Sequence, residues 1–216
     1  MNSTHLQLPP LQPIINWQEK RLEALEVCWR QQKRASFSRT PALLEQEFLE
    51  LLLTSLDEGV SASYAKLAFQ VPAPCLLRPG FVGQLQQFLQ EHSIDYHALM
   101  FFIHETHFAS LQLRQQLLPA LAELGIEVWV DDYLSRQPMG LELLASANVN
   151  GIRVSARRGL GSVTQATGEG FIFGLAALVQ RLQKQLIVTS LDHDDFLHQL
   201  KPIKGACLLQ GSLFGE

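Results

Sequence analysis

Short apolar runs alternate with amphipathic stretches along most of the chain. Residues 67–71, 99–103, 126–131, 151–155, 185–189 and 206–209 are runs rich in Val, Ile, Leu and Phe, and each predicts a buried strand. Between them, residues 81–90, 111–124, 138–147, 171–184 and 192–199 carry apolar residues at helical spacing, with Gly125 closing the second of these helices. An earlier helix is predicted after Ser38-Arg39-Thr40-Pro41, a cap followed by proline at the first helical position, with Leu43, Leu44, Phe48, Leu51 and Leu52 on its apolar face. Ahead of it, residues 11–15 and 25–29 read as two strands joined by the polar turn Gln18-Glu19-Lys20. Repeated strand–helix units with apolar strands predict a parallel sheet with helices outside. About seven or eight such units in one chain of this length fit a (β/α)8-like barrel better than an open sheet. Residues 1–9 read as a tail or linker remnant, and 10–216 as one barrel domain.

Composition sharpens this picture only in places. The chain has 216 residues, 47% of them hydrophobic, enough for a full core. Its net charge of −4, from 17 basic and 21 acidic residues, gives no electrostatic reason to expect direct nucleic-acid binding. The three cysteines, Cys28, Cys75 and Cys207, are odd in number and lack zinc spacing, which points to reduced thiols and a cytoplasmic setting. The N-terminus lacks a signal-peptide pattern, and the longest apolar runs fall short of the ~18 residues a bilayer span needs. No membrane contact by this domain is expected, although it could be the cytoplasmic piece of an anchored protein.

The chemistry-bearing segment is Val128-Trp129-Val130-Asp131-Asp132-Tyr133, a buried strand that delivers two carboxylates to its end. Parallel α/β folds place their sites there, and adjacent Asp residues suit hard cations. They also suit the cap of a following helix. His104-Glu105-Thr106-His107 is not read as a zinc motif, because on a strand end its two His point to opposite faces. The glycine pairs of Arg158-Gly159-Leu160-Gly161 and Gly168-Glu169-Gly170 read as loop.

Several segments taken in order resemble the EAL domain, the bacterial cyclic di-GMP phosphodiesterase module. Leu11-Gln12-Pro13-Ile14 resembles its opening Tyr-Gln-Pro-Ile strand. Val130-Asp131-Asp132-Tyr133 resembles its Leu-Asp-Asp-Phe segment, and Gln210-Gly211-Ser212-Leu213-Phe214 its terminal Gln-Gly-Tyr-Leu-Phe. The literal string Glu23-Ala24-Leu25 is out of register with the family. Its signature Glu follows the opening Gln by fourteen positions, which selects Glu26, with Arg30 as the Arg four residues later. The resemblance implies a modified TIM-like barrel of the EAL type.

The resemblance also implies a two-metal phosphodiester chemistry whose ligand positions are altered here. Glu26, Asp131 and Asp132 remain. Gln70 stands for the family's Asn, Phe102 for a Glu and Thr189 for the late Glu, while Asp192 replaces that segment's second Glu. Glu105 keeps the supporting Glu, Arg153 takes the place of a lysine, and Ser155 the place of its companion acid. Three acids cannot balance two divalent cations, so no metal and no cofactor are expected. The glycine-rich loop after the Asp pair is replaced by Leu134-Ser135-Arg136-Gln137-Pro138-Met139, which proline stiffens.

The expectation is therefore a catalytically inactive, cytoplasmic EAL-like domain that works by binding a protein partner. The nearest pattern is that of regulators combining degenerate GGDEF and EAL modules in small-RNA turnover, which implies a sugar-phosphotransferase EIIA protein as partner. Two alternatives stand beside it: a non-catalytic cyclic di-GMP receptor using Arg30 and Gln210, and a residual phosphodiesterase. Cyclic di-GMP binding is expected to be weak or absent. The working surface is expected to be an apolar cluster on the outer helices or on the loop 134–139.

Overall fold

Eight strands close into a barrel in sequence order in the computed structural model, which describes residues 10–28, 40–57, 65–134, 141–156, 165–192, 197, 200 and 207–215. The strands are β1 (Leu11–Asn16), β2 (Arg21–Val27), β3 (Lys66–Gln70), β4 (Leu99–His104), β5 (Glu127–Asp131), β6 (Gly151–Ser155), β7 (Gln185–Thr189) and β8 (Cys207–Gln210). Pairs β2 through β8 are parallel, whereas β1 runs antiparallel to both β2 and β8. One inverted strand is the departure from a regular (β/α)8 barrel. It follows from the tight turn at residues 17–20, which leaves no room for a crossover helix between β1 and β2.

The expected strands are present with small shifts in their ends. The largest shift is in β2, expected over 25–29 and found at Arg21–Val27. The hairpin pairs Asn16 with Arg21 and Gln12 with Glu26, so pairing begins directly after the turn. The polar residues Arg21 and Glu23 hid that start, because their side chains pair with each other at 2.9 Å rather than with the core.

The helices are α1 (Pro41–Asp57), α2 (Ala73–Leu76), α3 (Phe81–Glu91), α4 (Leu118–Leu124), α5 (Leu141–Ala145) and α6 (Gln165–Arg181). Thr40 caps α1 as expected, its Oγ1 accepting the Leu43 N–H at 3.3 Å. A wider π turn over Leu113–Leu117 leads into α4, and Gly125 ends it in the left-handed conformation at φ 86°. Helix α6 starts before residue 171 and absorbs Gly168-Glu169-Gly170, which the sequence marked as loop. Interior glycines weaken a helix by about 1 kcal/mol each and so mask it in a propensity reading. The helix expected over 192–199 falls mostly outside the described residues.

Apolar packing forms two layers. The outer layer lies between strands and helices and includes Phe48, Phe69, Phe81, Phe101 and Leu144. The inner layer fills the barrel itself with Ile14, Ala24, Ala68, Met100, Phe102, Trp129, Ile187 and Leu208. Trp129 fits there because Gly151 faces it: a Cβ on Gly151 would lie 2.5 Å from the indole ring. The inner layer forms the floor under the barrel mouth.

Candidate functional site

The two-residue period of a strand fixes what lines the mouth. One step beyond the inner apolar layer, Ala24 gives way to Glu26, Ala68 to Gln70, Trp129 to Asp131, Ile187 to Thr189 and Leu208 to Gln210. These side chains, with Arg153, His104 and Asp132, surround a cavity of about 490 Å³ at the C-terminal ends of the parallel strands. Glu26 lines this mouth and Glu23 does not, as the registration of the opening strand required.

Arg153 organises the centre. Its Nη1 lies 2.7 Å from Glu26 Oε2, and its Nε and Nη2 lie 2.7 and 2.8 Å from the two oxygens of Asp131. The guanidinium carbon sits 4.0 Å from the centre of the Phe102 ring. Phe102 is fully buried, and Glu26 and Asp131 are only 9% and 6% exposed. Burial would raise the Asp131 pKa, but the charge and hydrogen bonds of Arg153 hold it below the usual carboxylate range. Burial likewise opposes the charge on Arg153, and Glu26 and Asp131 outweigh it, raising its pKa further.

The remaining polar groups tie into this pair. Gln70 Nε2 donates to Asp131 Oδ2 at 3.3 Å. Gln210, 1% exposed, donates from Nε2 to Glu26 Oε2 and to Gln12 Oε1. Thr189 donates to the Val154 carbonyl at 3.4 Å, which turns its hydroxyl toward the β6 backbone. Both acidic residues of the pair engage side chains across the mouth: Asp131 holds Arg153, and Asp132 lies 3.2 Å from His104 Nε2. The segment that a cap by this pair would serve lies outside the described residues.

Glu105 is buried, and its Oε2 accepts the Leu134 N–H at 2.7 Å. The Tyr133 N–H donates to the Arg153 carbonyl at 3.0 Å. The start of the loop after the Asp pair is thus pinned from β6 and from Glu105, with Asp132 and Leu134 at φ 56° and 65°. Residues 135–139 lie outside the described residues, as does Arg30, so the ligand role read for Arg30 has no geometry to set beside it. The structure corrects only the side-chain directions expected of His104 and His107. The chain turns into a 3-10 helix at Glu105, and the rings stand 6.1 Å apart instead of facing opposite ways.

His104, Ser155, Ser190, Asp192 and Ser212 complete the mouth. His104 was legible, since it lies two residues beyond Phe102 on the same face of β4. Ser190 had no such signal, because it follows β7 with φ 62° and meets Ser155 Oγ at 3.1 Å.

Two divalent cations do not fit this arrangement. The oxygens of Asp131 and one oxygen of Glu26 are taken by a guanidinium, and an aromatic ring fills the position beneath. Among the described residues, no group of three or more His, Cys, Asp or Glu side chains gathers to hold a metal ion.

The barrel has one inverted strand and an acidic mouth at the C-terminal ends of its parallel strands. A family model described as the EAL domain matches residues 7–216, and the chain belongs to that family, which is related to cyclic di-GMP phosphodiesterases. Three solved structures are similar in fold. BlrP1 of Klebsiella pneumoniae, solved as a calcium/cy-diGMP complex, has a TM-score of 0.79 at 18% identity, covering 95% of this chain and 54% of that one. The PaMucR phosphodiesterase in its c-di-GMP complex has a TM-score of 0.70 at 16% identity, covering 95% and 94%. The EAL domain of Mycobacterium smegmatis DcpA has a TM-score of 0.73 at 18% identity, covering 96% and 90%. The chain spans about half the length of BlrP1. At these identities the similarity carries the fold alone. No curated protein sequence matches the chain. Among the described residues no helix is long and apolar enough to cross a membrane.

Proposed function

We propose that this chain is a catalytically inactive EAL domain that acts as a regulatory protein–protein interaction module. The observation that carries the reading is the Arg153 guanidinium bridging Glu26 and Asp131 above Phe102. Hydrolysis of a phosphodiester in such a site relies on metals that lower the pKa of water and neutralise developing charge. Here two carboxylates that would hold them are engaged by Arg153, whose single positive charge offsets one of their two negative charges. Among the described residues the mouth carries four carboxylates, Glu26, Asp131, Asp132 and Asp192, against one guanidinium, a balance that disfavours a doubly anionic dinucleotide.

The partner in this reading is a protein, and a sugar-phosphotransferase EIIA protein is the first to try. Exposed apolar side chains that could anchor it are Leu43, Leu77, Leu111, Phe171 and Leu213, which fall on five different segments. Titration calorimetry with cyclic di-GMP, with and without Mg²⁺ or Ca²⁺, separates this reading from a receptor. Little or no heat supports it; micromolar or tighter binding, lost in Arg30→Ala, makes the domain a receptor. A second test pairs Glu26→Ala with Asp131→Ala in the mouth, against charge-introducing changes at Leu111 and Phe171. The reading predicts that regulation in cells survives the mouth changes and is lost with the surface changes while both proteins stay folded. The reverse result points to a small ligand in the barrel.

A further inference from the structure

We propose that a cavity at the N-terminal end of the barrel, opposite the mouth, binds a small amphiphilic carboxylate, its apolar body against α1 and its anionic head at Lys66. The cavity lies between the last turns of α1, the starts of β3 and β4, and the connection from α3 to β4. Its volume of about 560 Å³ falls within the roughly 300–1,000 Å³ of small-molecule sites. Leu53 and Leu56 from α1, Leu67 from β3 and Ile94 from the connection form its apolar side. Lys66, His92 and His97 form its polar side. A few converging polar groups on an apolar wall are the make-up of a ligand site rather than of a packing gap. None of these residues belongs to the mouth.

The polar side is held in place by its own contacts. Lys66 pairs with Glu127 at the start of β5, and the other oxygen of Glu127 accepts the Trp129 indole N–H at 3.2 Å. An ammonium carries three donors, so this pairing leaves Lys66 able to donate to a ligand oxygen as well. The His97 N–H donates to Asp95 Oδ1 at 3.0 Å. The His97 ring lies against Gly125, where a Cβ would come within 2.5 Å of it. The His92 ring centre sits 4.6 Å from that of Phe88. Asp95, the acid among the described lining residues, is exposed and engaged by the His97 N–H. Lys66 is half-buried beside the leucines, where water screens a charge-assisted contact less than it does on open surface. Groups fixed in this way lose little freedom when a ligand arrives.

The test uses the whole chain with octanoate as probe, kept below its micelle concentration. Octylamine and octanol present the same body with a positive charge and with none. Calorimetry is expected to give submillimolar binding of octanoate, and affinity lower by about tenfold for the amine and the alcohol. Backbone amide signals in nuclear magnetic resonance are expected to move at residues 65–67 and 92–98 and to stay in place at 210–212. Lys66→Met is expected to weaken octanoate by about tenfold and to leave octanol unchanged. Should Lys66→Met fail to fold, Leu56→Asp carries the test, because a charge on the apolar side should weaken all three probes. The proposal is overturned if octanoate does not bind at millimolar concentration, or if the amine or the alcohol binds as tightly. It is overturned equally if the shifted amides cluster at the mouth, or if the folded variant binds octanoate as wild type does.

Discussion

Arg153 and Phe102 face each other across the floor of the barrel mouth, the guanidinium carbon 4.0 Å from the ring centre. Strand β6 supplies the cation and β4 the ring, while β2 and β5 supply the two carboxylates that hold the cation from its edge. A desolvated cation–π contact contributes about 2 kcal/mol. Phe102→Leu keeps an apolar floor but removes the ring face. Its expected cost is about 1–3 kcal/mol in urea unfolding, and a cost indistinguishable from zero would show that the ring serves only as filler.

Arg153→Met should cost more. It leaves Glu26 and Asp131 nearly buried and unpaired, and breaking such a pair from one side typically costs about 3–5 kcal/mol. Adding Glu26→Gln and Asp131→Asn should restore most of that loss, since neutral amides at these positions need no counter-charge. Unfolding curves of the single and triple variants check this, and a triple variant no more stable than the single one would contradict it.

Acid stability follows from the direction of the Asp131 shift. Its carboxyl is held below the usual range when folded, so its contribution is present above the unfolded value of about 3.9 and is lost as pH falls through the lower folded value. Asp131→Asn should therefore flatten the loss of stability below about pH 4, measured as melting temperature against pH.

His107 acts in a different window. Burial and the nearby His104 lower its pKa, so the neutral ring is favoured in the fold. The stability it contributes is present above its unfolded value of about 6.5 and is lost as pH falls below that. His107→Gln should reduce the decline in melting temperature between pH 7 and pH 5. An unchanged decline would assign it to other groups.

Gly151 is a position where adding a single methyl group should do local damage. An alanine Cβ there would lie 2.5 Å from both the Trp129 ring and the Gln185 carbonyl. Overpacking of this kind costs about 1–3 kcal/mol. Gly151→Ala should lower the denaturation midpoint and alter the Trp129 fluorescence together.

The barrel was largely legible because its strands are apolar on both faces and its helices on one. Periodicity placed β3 to β8 within a residue or two, and Glu26, which the family resemblance selected over Glu23, lines the barrel mouth. What stayed hidden depends on geometry between distant segments. Nothing local in Ile152-Arg153-Val154 says that its guanidinium reaches Glu26 and Asp131 on strands far apart in sequence. The 3-10 turn that brings His104 beside His107 is likewise not written in the hydrophobic pattern.

The central claim is that this EAL domain does not hydrolyse cyclic di-GMP, and turnover measured directly by chromatography with Mg²⁺ or Mn²⁺ tests it most sharply. The account predicts no product above the metal-free control. Product formed only with metal, and abolished by Glu26→Ala, would contradict it and show that Arg153 yields its carboxylates to metal when substrate binds.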